Sequence, residues 1–97
     1  MFEIFLTDHA REQLNKLKTD KGLEKRYHSV KKAIQFLSTN PRHQSLMTHE
    51  FTSLKGPHGE KIFEAYAEQS TPAAYRVFWH YGPGKNQITV IATTPHP

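Results

Sequence analysis

An apolar stripe at helical spacing dominates the first half of the sequence. Between residues 23 and 37, apolar side chains recur at every third or fourth position, and most of the remaining positions are polar or basic. This period is typical of an amphipathic α-helix with one buried face. The stripe consists of Leu23, Tyr27, Val30, Ile34 and Leu37. The helix is expected to end at Asn40-Pro41, because a proline disfavours helical geometry in the residue before it.

A shorter helix is predicted just upstream. Its apolar face is formed by Ala10, Leu14 and Leu17. Thr7 or Asp8 offers a side-chain oxygen as the N-cap. Gly22 is expected to follow the C-terminus as a C′ residue or to act as a hinge. Two amphipathic helices with so short a connection predict a helical hairpin packed on a sheet.

Strand patterns flank the helical hairpin. Residues 2–6 alternate between apolar and other side chains, and three further segments beyond Pro41 show similar patterns. These segments cover residues 61–68, 74–81 and 87–93, with a weaker alternation from His49 anchored by Phe51 and Leu54. Their short, glycine-rich connections imply antiparallel pairing. We therefore predict an α+β fold: an N-terminal strand, a helical hairpin, then three or four antiparallel strands. The helices cover one face of a curved sheet, and Arg76, Phe78 and His80 lie on the other.

Composition restricts the class of protein. A chain of 97 residues is expected to form one domain, residues 1–97. It contains no cysteine, which excludes disulfides and thiolate metal sites and suits a reducing cytoplasm. The seven histidines never occur at the His-x-x-x-His spacing of a helical metal site. With no signal peptide and no membrane-length apolar run, we predict a cytoplasmic protein that uses no metal, cofactor or membrane. The net charge of +4 favours an anionic partner.

Several short motifs occur in an order that resembles a known family. An N-terminal strand and a helical hairpin ending near Asn-Pro precede Leu54-Lys55-Gly56 and then Tyr75-Arg76-Val77-Phe78. This set resembles the RelE/ParE toxin superfamily of type II toxin–antitoxin modules. The resemblance implies a toxin with a cognate antitoxin as its protein partner. RelE-like members cut messenger RNA on the ribosome, whereas ParE-like members poison DNA gyrase without nuclease activity.

The resemblance also implies roles for two residues of a nuclease. Arg76 matches the arginine of the Tyr-Arg strand, where a guanidinium binds phosphate and stabilises the crowded phosphorane. The alternative is a structural arginine paired with Glu64 or Glu68 on the neighbouring strand. His96 lies where a subgroup of RelE-like nucleases keeps a C-terminal histidine, and it is predicted to be the general acid. Its alternative is a frayed terminus with no role.

Other candidates surround the Leu54-Lys55-Gly56 turn. His49 or Glu50 is placed by the resemblance as general base, with a solvated loop pair as the alternative. Lys55, Lys61 and His80 are candidate phosphate-binding residues, although Lys55 and Lys61 could equally be surface lysines.

One strand departs from the family pattern. Glu64 and Tyr66 occupy positions where the best-known RelE-like enzymes carry lysine or arginine. A carboxylate beside the scissile phosphate is repulsive by about 1 kcal/mol or more at close range. The resemblance implies a metal-independent mRNA endoribonuclease toxin. The departure on this strand favours the alternative, a non-catalytic binding protein of the same fold such as a gyrase inhibitor.

Overall fold

The structure is a computed structural model that describes residues 1–69 and 73–95. The chain forms a strand, two helices and then four strands. Their bounds are β1 Glu3–Leu6, α1 Asp8–Thr19, α2 Glu24–Thr39, β2 His49–Lys55, β3 Lys61–Tyr66, β4 Tyr75–Tyr81 and β5 Gln87–Pro95. Two short 3-10 turns, Lys21–Leu23 and Gln44–Leu46, precede α2 and β2 respectively.

Both predicted helices form, and polar side chains mark their ends. Thr7 is the N-cap of α1, where its hydroxyl oxygen accepts a hydrogen bond from the Ala10 amide at 3.1 Å. The helix ends at Asp20 rather than through Gly22, so the prediction for Gly22 as its C′ residue is wrong. The Asp20 carboxylate accepts the Gly22 amide at 2.9 Å and thereby stabilises the 3-10 turn between the helices.

The strands form one mixed sheet in the order β1-β5-β4-β3-β2. Antiparallel pairing of the four later strands is confirmed. The first strand instead lies parallel to β5, with Glu3 opposite Gln87 and Leu6 opposite Val90. This parallel pair requires a long connection, since the whole helical hairpin and three strands separate its members in sequence. The α+β prediction is thus confirmed, with a mixed sheet that does not close.

The core lies between the helices and one face of the sheet. Val30, Ala33 and Leu37 of α2 are buried against Val77 and Trp79 of β4. Leu46, from the 3-10 turn before β2, closes the core at its end and is 1% exposed. Leu54 is 46% exposed, so its prediction as an anchor of β2 is wrong; Phe51 contacts Phe78 instead. None of the helices within residues 1–69 and 73–95 has the length and apolar character needed to cross a bilayer.

Candidate functional site

Cross-strand register gathers polar side chains on the sheet face turned away from the helices, here called the second face. His49 of β2 lies opposite Glu64 of β3. Tyr66 of β3 lies opposite Arg76 of β4, while Glu64 also lies opposite Phe78. Because paired residues project to the same side of a sheet, three separate strands contribute to one cluster.

Glu64 is the centre of this cluster. Its side chain is 5% exposed and touches two basic partners: Oε1 lies 2.8 Å from His49 Nε2, and Oε2 lies 3.6 Å from Arg76 Nε. A buried carboxylate is costly unless charge or hydrogen bonds compensate it. The carboxylate therefore orients both basic side chains, and they in turn allow it to be buried.

His49 is the cluster's most accessible titratable group. Its side chain is 48% exposed, far more than that of Glu64 or Arg76. While Nε2 faces the Glu64 carboxylate, Nδ1 lies 3.1 Å from the carbonyl oxygen of Met47. A neutral imidazole can donate to only one of these acceptors, and a protonated imidazolium donates to both.

Arg76 is held mainly by an aromatic ring and by backbone carbonyls. Its side chain is 8% exposed and its guanidinium carbon lies 3.8 Å from the centroid of the Tyr66 ring. One terminal nitrogen donates to the carbonyl of Ala74 at 3.1 Å and more weakly to that of Glu68 at 3.5 Å. With the Glu64 contact, this is the structural arrangement that the sequence offered as the alternative to a phosphate clamp. The Glu68 carboxylate takes no part in it, since it accepts the Tyr75 amide.

The remaining candidates are spread over the molecule. Glu50 follows His49 on β2 and pairs with Lys55 at 3.7 Å. Lys55 lies opposite Lys61 at the far end of the hairpin, and Lys61 is three residues along β3 from Glu64, the partner of His49. His80 is 6% exposed, with Nδ1 2.8 Å from the Tyr81 carbonyl. The predicted general acid, His96, lies outside the described residues.

The sequence offered the pairing of Glu64 with Arg76 as an alternative, but it indicated neither the contact between Glu64 and His49 nor a role for Tyr66. Glu64 and Tyr66 are two residues apart on β3, as Arg76 and Phe78 are on β4, so each pair projects to one face of its strand. This spacing was the only indication in the sequence that the four residues share a face. The family pattern favoured cations at these positions, so a carboxylate there was interpreted as repelling phosphate. The structure instead pairs that carboxylate with Arg76 and places His49 Nε2 against it.

Within the described part of the chain, no group of three or more histidine, cysteine, aspartate or glutamate side chains is arranged to hold a metal ion.

The α+β fold with its five-stranded mixed sheet is shared with solved toxin structures. The YoeB/ParE toxin from Agrobacterium tumefaciens matches with a TM-score of 0.71, covering 99% of this chain and 100% of its own at 10% identity. The archaeal RelE–RelB complex from Pyrococcus horikoshii OT3 contains a chain that matches at 0.65, covering 97% and 93% at 14% identity. YafQ from E. coli strain BL21(DE3) matches at 0.60, covering 99% and 94% at 13% identity.

The fold is therefore that of the RelE-like toxins, as the motif order predicted. The likeness is one of structure: no protein-family model matches the sequence, and no curated protein matches it.

Proposed function

We propose that this chain is the toxin of a type II toxin–antitoxin module and that it inhibits translation by cutting messenger RNA on the ribosome. The toxin assignment is supported by the fold, which is shared with three toxins over nearly the whole chain. The observation that carries the nuclease activity is the 2.8 Å contact between half-exposed His49 and buried Glu64. A base held in place by a carboxylate is a recurrent arrangement for activating a hydroxyl group.

In this proposal His49 acts as general base. Nε2 donates to Glu64. The ribose 2′-hydroxyl displaces the Met47 carbonyl from Nδ1 and gives its proton to that nitrogen as its oxygen attacks the adjacent phosphorus. The bond from phosphorus to the 5′-oxygen then breaks, leaving a cyclic phosphate. His96 is proposed to give a proton to the departing oxygen. Glu50 remains the alternative base, although its contact with Lys55 makes it less available.

Arg76 has a different task here from direct phosphate binding. Its contact with Glu64 offsets the carboxylate charge, so a phosphate near His49 does not meet an uncompensated anion. When His49 accepts the proton, the three groups together carry a net positive charge. That charge develops at the moment when negative charge accumulates on the phosphorane. Lys55, Lys61 and His80 keep their proposed role in attracting the RNA backbone.

The test compares two variants, each of which replaces one histidine by alanine. His49→Ala should abolish growth arrest and lower translation-dependent mRNA cleavage by about 100-fold or more, the usual contribution of a general base. His28→Ala is the matched control, since His28 faces Glu24 at 3.8 Å on the exposed surface of α2. It should leave both readouts unchanged. Cleavage by His49→Ala at the parent rate would show that the base is elsewhere.

A second candidate is a toxin that binds its target without cleaving RNA, with DNA gyrase as one such target. The burial of Arg76 beneath Tyr66 and Glu64 favours it, because little of the guanidinium is accessible to a phosphate. Growth arrest with intact mRNA and an SOS response would establish this candidate over the nuclease.

A further inference from the structure

One basic side chain of α2 differs from the others in its burial. Lys25, Lys31 and Lys32 are exposed, whereas the side chain of Arg26 is only 30% exposed. A charged group that loses much of its contact with water needs partners that compensate it. The partners of Arg26 all belong to the connection between β3 and β4.

Arg26 contacts that connection at both ends. Its Nη1 donates to the carbonyl oxygen of Ala73 at 3.1 Å, and its Nε lies 3.9 Å from the Glu68 carboxylate. Its guanidinium carbon lies 5.4 Å from the centroid of the Tyr75 ring. The Glu68 carboxylate in turn accepts the amide of Tyr75 at 3.0 Å. Arg26 therefore joins α2 to the residues that follow β3 and to those that begin β4.

The same connection holds Arg76 from the opposite side. The carbonyl oxygens of Ala74 and Glu68 accept hydrogen bonds from Arg76 Nη1 at 3.1 and 3.5 Å. Successive side chains of a strand point to opposite faces, so Tyr75 faces α2 while Arg76 lies on the second face. The backbone at the start of β4 thus lies between two guanidinium groups, one on each side of the sheet.

Ala73 has an unusual backbone conformation at this point. Its φ is 52°, in the left-handed region that is unfavourable for residues with a Cβ. Such a conformation persists where the surrounding contacts impose it. Arg26 donates to the carbonyl of this residue, and the next residue, Ala74, supplies the carbonyl that accepts Arg76. A relaxation of Ala73 would therefore move the Ala74 carbonyl.

We propose that Arg26 is a positioning residue for Arg76. It fixes the backbone so that the carbonyls of Ala74 and Glu68 meet the Arg76 guanidinium, and Arg76 in turn contacts the carboxylate that orients His49. The link between the two arginines stands on these contacts alone. Its effect on RNA cleavage rests on the proposed function, in which His49 is the base.

The position of Arg76 can be followed by NMR without RNA. The Nε–H group of each arginine gives one signal, and the signal of Arg76 is the one lost in Arg76→Lys. Arg26→Ala should shift this signal and speed the exchange of its proton with water by about tenfold or more, because a guanidinium released from its acceptors is more accessible. Arg26→Lys should give an intermediate result, since an ammonium can still donate to the Ala73 carbonyl.

Arg11→Ala is the matched control for the loss of an arginine. Arg11 is 58% exposed on α1, where it pairs with Asp8 at 3.4 Å. Its replacement removes the same side chain and the same charge as Arg26→Ala. It should leave the signal of Arg76 unchanged.

Cleavage kinetics test the consequence for the site. Arg26→Ala should lower kcat on mRNA by about tenfold, because it displaces a group that orients the base. Its KM should stay within about twofold of the parent value, because Arg26 lies on the helical side and not on the second face. The rate is taken per folded protein, measured by the fluorescence of buried Trp79, so that lost stability does not lower it. Arg26→Lys should recover part of the rate.

Three results would overturn the proposal. The first is an Arg76 signal that does not move in Arg26→Ala, and the second is an equal shift in Arg11→Ala. The third is a raised KM with unchanged kcat, which would show that Arg26 binds RNA directly. If the Arg76 signal moves in Arg26→Ala but the parent protein cuts no RNA, the link between the arginines stands and the nuclease proposal fails.

Discussion

The buried contact between Glu64 and Arg76 should be a strong energetic coupling rather than an incidental one. Both side chains are nearly inaccessible, at 5% and 8%. Replacing Glu64 by leucine leaves the guanidinium buried without its carboxylate, and breaking a buried pair in this way costs about 3–5 kcal/mol. Because Arg76 keeps hydrogen bonds to two backbone carbonyls, we expect Glu64→Leu to lower the free energy of unfolding by about 3 kcal/mol, the lower end of this range. A domain of this size has only about 5–15 kcal/mol of stability in total.

The measurement is urea unfolding followed by fluorescence. Trp79 is the single tryptophan and is fully buried, so its emission reports on the core. Glu64→Leu should lower the midpoint by about 2 M urea, and combining it with Arg76→Met should recover much of that loss because no buried charge is left unpaired. The coupling energy from this double-mutant cycle should be about 2 kcal/mol.

The exposed contact between Asp8 and Arg11 provides the control cycle. Its side chains are 102% and 58% exposed, so Asp8→Leu and Arg11→Met should couple by only a few tenths of a kcal/mol. If the Glu64–Arg76 coupling energy is equally small, the carboxylate does not hold the arginine and the proposed charge compensation fails.

Two further changes test the local structure. Thr7→Ala removes the N-cap of α1 and also a hydroxyl that donates to the Ile91 carbonyl. It should therefore lower the free energy of unfolding by about 1–2 kcal/mol in the same urea assay. The control, Thr52→Ala on the exposed part of β2, should lower it little. The pKa of Glu60 lies below its ordinary value, because its own backbone amide and that of His58 donate to the carboxylate. A lowered pKa stabilises the fold above pH about 4.5 and that stabilisation is lost as pH falls through the folded-state value. Glu60→Gln should therefore lower the melting temperature at pH 6, and its gap from the parent should shrink as the pH falls below about 4.5; a gap that stayed constant would contradict this reasoning.

The parts of the fold that the sequence predicted are those governed by local periodicity. The stripe from Leu23 to Leu37 identified α2, and Thr7 and Asn40 identified helix ends. The turn before Lys61 identified a hairpin. These features depend on residues a few positions apart, so a single sequence contains the information.

Errors arose where distant segments decide the structure. Leu54 is apolar and lies in a strand, yet β2 is an edge of the sheet and leaves it exposed. Glu64 was interpreted as a charge that repels phosphate or as a partner of Arg76, and its contact with His49 was missed because His49 comes from another strand. The cavity between α2, the turn Gln44–Leu46 and the end of β3 combines residues from three elements and had no local signature in the sequence.

The amino-acid order by itself determined which segments become helices and strands, and which face of β4 would carry Arg76. Only the tertiary structure decided that β1 lies beside β5 and that Glu64 joins His49 to Arg76. The physical reason is the sequence distance over which each effect acts. Backbone propensity and side-chain periodicity act over a few residues, whereas burial and charge compensation depend on which remote surfaces come into contact.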